Sequence, residues 1–579
     1  MTSDTDAAIA DPIAFQLFRH AITGIANEMA LTIFRTAYSG VLKNIMDYST
    51  AICDREGRLA AQGLSLPGHL CSIPVALKAT LAAMDEPVAE GDVLVMNDPY
   101  SGGMHLPDIF TFKPVFVAGE IVAYACAVCH HTDVGGRVAG SNASDSTEIF
   151  QEGIRIPPLK LYRRGEVDRT LMAMLESNVR MPDRLRGDLR GQLAACRIAE
   201  QGVQALAKTE GAEAFVARLD ELMSYSEILT RNGIRNLPDG EFTFTDYIDD
   251  DGIDVGKPIP LVCTVRKSGE RLVMDWTGTS PQVKGAINNT FSYTAAASYT
   301  AVKTVLGDGA PNNDGVFRAI EVIAPEGTIA NAVMPAACAA RGLTGFRMAD
   351  CAFGAMAGLA PGRVLACSDG GNTNVSIGGY DAGRKPFIFV DFVSAAWGAR
   401  PWKDGLEGNT TLFANMASYS TETVESENPV LITVNEFVDD SAGAGKFRGG
   451  VAMRRDYMLL EDEAVLSVRA DRQAFRPWGL DGGHDGAAGI NVMNPEGEAK
   501  KLVSKFTMTM RKGDVLSHCL PSGGGYGNPL ERDPAAVAED WLDDFVSTET
   551  ARDVYGVILT PEGAVDLPAT QARRAELAA

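Results

Sequence analysis

Cysteine, basic residues and long apolar runs are all scarce in this chain, and each shortage removes a class of protein. Ten cysteines in 579 residues are too sparse and unevenly spaced for a disulfide framework, which suits a reduced compartment. One pair, Cys126-Ala-Val-Cys129, has a redox or metal spacing, but no second pair follows it and it lies in an apolar run, so it reads as packing. No uninterrupted apolar stretch nears the roughly 20 residues that a membrane-spanning helix needs. The 52 Lys and Arg face 75 Asp and Glu, a net charge of -23, and no basic run stands out. Such a surface repels phosphate backbones and anionic headgroups, so neither nucleic acid nor a membrane is an expected partner. The first eleven residues carry neither the basic nor the apolar segment of a secretion signal, and the expected location is the cytoplasm. A GxxxxGK[ST] phosphate loop and a Ser-His-Asp nucleophile elbow are also missing, which removes a P-loop nucleotide site and a serine-triad hydrolase.

What is present is the balance of an ordinary globular protein, 46% hydrophobic and 22% charged, in a chain long enough for about two to four domains. Residues 12–38 carry Ile13, Leu17, Ile22, Ile25, Met29 and Ile33 at helical spacing behind an Asp11-Pro12 start, which predicts a long amphipathic helix with Asp11 as its cap. Residues 47–53 read as a strand followed by the turn Asp54-Arg55-Glu56-Gly57. Residues 73–84 read as a helix and residues 92–96 as a buried strand. Two β-branched and aromatic runs, 109–116 and 121–128, flank Val117-Ala118-Gly119-Glu120 and predict a hairpin. A long helix or helical pair is expected over 182–229, and alternating strands at 242–248, 261–265 and 271–276. The fold class is α+β, a multi-domain mixture of antiparallel sheets and long helices. The expected segments are a metal-binding region over 1–236, a mixed middle domain over 237–440, a glycine-rich β region over 441–531 and a helical tail over 532–579.

Only seven histidines occur, and three of them, His105, His130 and His131, fall within 27 residues around the predicted hairpin. With the turn centred on Gly119, Asp108 lies eleven residues before it and His130 eleven after, which brings both to one end of the hairpin with His105 a short step beyond. Two imidazoles and a carboxylate suit Zn²⁺, Mn²⁺ or Fe²⁺, and Asp47 could complete four ligands from outside the hairpin. The same residues would also serve as ordinary polar groups at strand ends. His69 is near Asp47 in sequence but reads as a buried, hydrogen-bonded histidine, and His484 and His518 as structural. Gly370-Gly371-Asn372 and the run 523–527 could cradle an anion through backbone N–H groups, although turns or subunit contacts are the simpler reading.

The motifs form a recognisable series. Arg35-Thr36-Ala37-Tyr38-Ser39, Asp47-Tyr48-Ser49, Gly102-Gly103-Met104-His105-Leu106-Pro107-Asp108 and His130-His131-Thr132-Asp133-Val134-Gly135-Gly136 resemble the hydantoinase B/oxoprolinase family. The likeness continues through Gln151-Glu152-Gly153-Ile154-Arg155-Ile156-Pro157-Pro158, Asp275-Trp276-Thr277-Gly278-Thr279-Ser280 and Pro521-Ser522-Gly523-Gly524-Gly525-Tyr526-Gly527-Asn528-Pro529. Met104 stands where a small polar residue is more usual.

The resemblance implies a subunit of an ATP-dependent hydrolase of cyclic amides (lactams, hydantoins or oxoproline), holding one divalent metal, Zn²⁺ first, on Asp47, His105, Asp108 and His130. It further implies a hydantoinase A-like partner that binds ATP and Mg²⁺, in an (αβ)2 hetero-oligomer. The partner would phosphorylate the amide oxygen, and metal-activated water would attack the product. His131 and Asp133 are the candidates for catalytic proton transfer or orientation. The alternatives are a subunit of an acetone- or acetophenone-type carboxylase, using a ketone and bicarbonate, and a scaffold with a structural metal.

Overall fold

Asp11 opens the first helix as its sequence predicts. In the computed structural model its Oδ1 accepts from the backbone N–H of Ile13 and Ala14, with Pro12 in the first turn. The structure describes residues 11–579 except 64, 65, 70, 308 and 372, so residues 1–10, on which the targeting expectation rests, and Asn372 lie outside it. The face that α1 (Pro12–Thr36) buries is Phe15, Phe18, Ile22, Ala26, Met29 and Ile33. Ile13 and Leu17, expected on that face, are 76% and 67% exposed. Both stripes fit a helical period near the start, and the larger aromatic side chains take the inner one, each contributing about 1.5–3 kcal/mol by burial.

The chain divides into two units that do not follow linear order. One comprises Met1–Thr245, Pro260–Ala360 and Phe413–Met416, the other Asp246–Ile259, Pro361–Leu412 and Ala417–Ala579. The boundaries expected at 236, 440 and 531 mark changes in patterning and do not coincide with these units, because both units are closed by segments distant in sequence.

In the first unit α1 is followed by β1 (Tyr48–Asp54), β2 (Leu59–Gln62), α2 (Ser72–Ala82), β3 (Val93–Met96), β4 (Asp108–Val117) and β5 (Glu120–His130). Then come β6 (Leu159–Arg163), β7 (Glu166–Val167), α3 (Arg169–Ser177), α4 (Pro182–Glu210) and α5 (Ala212–Arg235). The seven strands form one antiparallel sheet in the order β2-β1-β5-β4-β3-β6-β7. One face of the sheet packs on α1, α4 and α5 through Ala123, Ala125, Ala127 and Cys129 of β5. Cys126, three residues from Cys129 on a strand, points to the other face, so the pair cannot chelate an ion together. Burial pushes both thiols up.

The chain continues with β8 (Gly240–Ile248), β9 (Ile259–Ser268), β10 (Arg271–Asp275), α6 (Phe291–Leu306), α7 (Asp314–Arg318), β11 (Ile320–Ile323) and α8 (Arg341–Leu359). These strands pair in the order β11-β10-β9-β8, with β10 parallel to β11 and antiparallel to β9. The second unit holds a four-stranded sheet (Pro386–Phe392, Asn374–Tyr380, Glu463–Arg469, Lys505–Arg511) and a five-stranded one (Val430–Val438, Ala452–Leu459, Val515–Cys519, Ile490–Met493, Lys500–Leu502). Val375, Phe389, Tyr457 and Leu466 share the core that these strands bury. Three short helices, Pro534–Leu542, Thr548–Asp553 and Leu567–Ala578, end the chain. Among the described residues no helix is long and apolar enough to cross a membrane.

The glycine run 523–527 is not an anion cradle. The N–H groups of Gly523, Gly524, Gly525 and Gly527 donate to the carbonyls of Gly450, Cys367, His484 and Leu480 at 2.8–2.9 Å. Backbone segments converge on the run, and the lack of Cβ is what lets them approach.

Candidate metal centre

Strand pairing decides which side chains meet. The hairpin turns at Ala118 and Gly119, both with positive φ (+52° and +87°), and its register sets Asp108 opposite His130. On the other side of β5, β1 pairs Tyr48 with Cys129, and the His130 N–H donates to Asp47 O at 3.0 Å. Asp47, His130 and Asp108 therefore form a row across three adjacent strand ends, on one face of the sheet. His131, one residue on, turns to the opposite face, where its Nε2 lies 3.0 Å from Gln192 Oε1 on α4. The strand period of two separates the adjacent histidines.

His105 reaches the row from the turn before β4, where its carbonyl accepts from the Asp108 N–H at 3.1 Å. One ligand atom from each of His105, Asp108 and His130 lies within 4.8 Å of the others, and all three residues are buried. His69 was expected to be an ordinary buried histidine and in part is one, since its Nδ1 lies 2.9 Å from Ser49 Oγ. Its Nε2, however, faces the row, 3.9 Å from both Asp47 Oδ1 and Asp108 Oδ2. Burial pushes His69 down to about 4, with Asp108 opposing and Arg341 and His105 assisting, so the ring is neutral at physiological pH. Burial also works to raise the Asp108 acid, but the charges of His105 and Arg341 outweigh it and hold the acid well below the usual carboxylate range.

The donors fit a cation. His105 Nδ1 lies 3.1 Å from Ala339 O and its Nε2 3.2 Å from Asp108 Oδ2, so both ring nitrogens face acceptors. Such a ring is satisfied as an imidazolium, or as the Nδ1–H tautomer with a cation between Nε2 and the carboxylate. Metal-bound histidines adopt the second arrangement, with the far nitrogen donating to a carbonyl or carboxylate. Asp108 Oδ1 is buried without a hydrogen-bond partner among the described residues. His105 and His130 have ring centroids 5.0 Å apart, converging on this space.

Asp133 lies apart from the cluster. Its carboxylate accepts from Arg180 Nη1 and the Arg180 N–H, both at 2.8 Å, and from the Gly135 and Gly140 N–H groups at 3.3 Å, which ties down the loop after β5. Burial raises this acid and the Arg180 contacts pull against it.

Three more residues complete the surroundings, and of these the sequence reading singles out Met104 but neither Arg341 nor Glu152. Arg341, the first residue of α8, donates from Nη2 to Asp108 Oδ2 at 2.7 Å, and its guanidinium lies 4.0 Å from the ring centre of Tyr293. Met104, the unusual residue before His105, is fully buried with its sulfur 4.0 Å from Arg341 Nη2. Glu152 Oε1 accepts from the N–H groups of Cys338 and Ala339 at 2.7 and 2.8 Å, and so holds the carbonyl that orients His105. Glu152 does carry a local signal, the motif Gln151-Glu152-Gly153. Arg341 carries no local signal, because it comes from more than 200 residues away.

Glu152 makes a pH-dependent contribution to stability. Burial pushes its acid up to about 8, against the two N–H bonds, whereas an unfolded glutamate titrates near ~4.3. The native state thus keeps a proton that the unfolded chain releases between those values. The stabilisation is complete below ~4.3 and is lost as pH rises through about 8. Thermal melts of Glu152→Gln should lose less stability than wild type between about pH 5 and 8.5. Equal slopes would contradict the buried acid.

The sheet and its row of buried carboxylates and imidazoles define a class: residues 11–529 match the model for hydantoinase B/oxoprolinase, and the chain belongs to that family. It is 33% identical to the B component of the putative D-/L-hydantoinase of Pseudomonas sp. (strain NS671), covering 98% of this chain and 99% of that one. It is 32% identical to the beta subunit of the caprolactamase of Pseudomonas jessenii, again over 98% and 99%. The crystal structure of the ATP-dependent caprolactamase from Pseudomonas jessenii matches with a TM-score of 0.91 at 29% identity, over 98% of this chain and 100% of that one. A nucleotide-free acetone carboxylase matches in fold, TM-score 0.89 at 19% identity. Both bacterial relatives are named as one subunit of a larger enzyme.

Proposed function

We propose that this chain is the metal-binding subunit of a two-component, ATP-dependent hydrolase of cyclic amides, acting on a lactam, hydantoin or oxoproline-type ring phosphorylated by a hydantoinase A-like partner. The observation that carries this reading is the row Asp47, His130 and Asp108 with His105 beside it, in a chain that aligns end to end with the beta subunit of caprolactamase. Those four residues would hold one divalent ion, Zn²⁺ first and Mn²⁺ or Fe²⁺ as alternatives, which when bound polarises an oxygen and makes water acidic enough to react near neutral pH.

The chain's own residues do the rest. Ala339 O fixes the His105 tautomer, and Glu152 fixes Ala339. Burial of the donors excludes bulk water and strengthens every charge interaction in the site. In this reading His131 and Asp133, bonded to Gln192 and Arg180, position the sheet end and carry no proton in the reaction. A scaffold role is disfavoured because closed structural sites mostly use cysteine, whereas two carboxylates and two imidazoles suit an open one. We place the enzyme in the cytoplasm, where ATP is supplied and its ten cysteines stay reduced.

The likeness of fold to acetone carboxylase supports a second reading, ATP-dependent carboxylation of a ketone with bicarbonate. Co-purification with the ATP-binding partner, followed by assays on both substrate sets, separates the two. Expected is ring opening of a lactam or hydantoin coupled to phosphate release, in a complex whose mass corresponds to (αβ)2. Carboxylated product from a ketone, with no cyclic amide opened, would overturn the first reading.

A further inference from the structure

Arg341 is more than a counter-charge to Asp108. Its side chain is 5% exposed, yet only part of its guanidinium is occupied: Nη2 donates to Asp108 Oδ2, while Nε is buried without a hydrogen-bond partner among the described residues. A buried guanidinium donor left open is costly unless a ligand supplies an acceptor. The group is also braced. Tyr293 stacks on it, and Tyr293 itself is pinned between Gly68 and Gly345, where an added Cβ at either position would collide with its ring. Stacking on an aromatic face while hydrogen bonding in plane is the arrangement that makes arginine a selective reader of planar or tetrahedral oxyanions.

Charge points the same way. With neutral imidazoles, the carboxylates of Asp47 and Asp108 outweigh Arg341 by one formal negative charge, and a divalent cation turns that into one net positive charge. A buried site with a surplus positive charge favours an anionic ligand. The ligand's source follows from the proposed reaction, in which the substrate arrives carrying a phosphoryl group.

We propose that Arg341, braced by Tyr293, forms an oxyanion subsite beside the metal centre that binds the phosphoryl group of the activated substrate. This rests on the metal-dependent reading above. Phosphoryl oxygens would accept from the open part of the guanidinium, which holds the substrate in place while Asp108 keeps its contact to Nη2. Arg341 is thus a substrate-binding residue.

The test uses the full-length chain loaded with Zn²⁺, with metal content measured on every sample and inorganic phosphate titrated by calorimetry. The wild type should hold metal and bind phosphate, with bicarbonate weaker. Arg341→Met should keep its metal and lose phosphate affinity by about 10- to 100-fold, the usual effect of removing a charged hydrogen bond. Unchanged phosphate affinity in Arg341→Met, no phosphate binding by wild type, or bicarbonate bound in preference to phosphate would each overturn the subsite. Should Arg341→Met lose its metal, Arg341→Lys decides: metal kept with weakened phosphate supports the proposal, and metal lost refutes it. A wild type that binds no metal refutes the functional reading itself, a separate outcome.

Discussion

Asp108→Asn should leave the purified chain without its metal. The carboxylate at the centre of the row faces His105, His69 and Arg341 at once, and the amide keeps its shape while removing its charge. Replacement of groups that merely orient ligands costs about 10–100-fold in metal affinity or activity, so loss of a ligand should exceed that. Elemental analysis should fall from one metal per chain to none, and ATP-coupled turnover by the reconstituted complex should fall by more than about 100-fold. His131→Gln is the matched control, since His131 points to Gln192 on the opposite face. Its metal content should be unchanged. Metal retained in Asp108→Asn but lost in His131→Gln would invert the assignment of the two faces.

Gly524→Ala should be among the most destabilising single methyl additions. The new Cβ would land on the backbone carbonyl of Trp478, and backbone cannot swing aside as a flexible side chain can. The N–H of Gly524 is meanwhile tied to Cys367 O at 2.8 Å, so the residue cannot shift without breaking that bond. Overpacking typically costs about 1–3 kcal/mol, and with no side chain free to yield the cost should lie at or above the upper end. Gly24→Ala gives the contrast, because nothing lies within 4 Å of an added Cβ there and the position is inside α1. It should stabilise by roughly 0.5–1 kcal/mol. Denaturant unfolding of both variants measures the difference, and a Gly524→Ala midpoint equal to wild type would contradict the close backbone approach.

Legibility differed by element for physical reasons. The cap and length of α1 were readable because Asp11-Pro12 is local chemistry, but its inner face was not. Ile13 and Phe15 begin two apolar stripes, and only packing against α4 and the sheet selects one. The hairpin was readable because alternation and a turn at Gly119 set its register within a short stretch. Helices α6 and α8 gave no amphipathic signal: Ala, Ser, Thr and Gly dominate them, and α8 is buried on nearly every side. The glycine run reads locally as turns or subunit contacts, and nothing in it names the backbone that packs against it. Its bonding partners come from four distant segments.

Local pairing rules alone bring His105, Asp108 and His130 to one end of a hairpin, and the motifs identify the family. Tertiary structure decided what local rules cannot. It separated His130 from His131 by the face each presents, brought His69 toward the row, and set Arg341 and Glu152 around it. Local periodicity propagates over a strand or a helical turn, whereas the surroundings of a buried charge are assembled by packing segments that lie hundreds of residues apart.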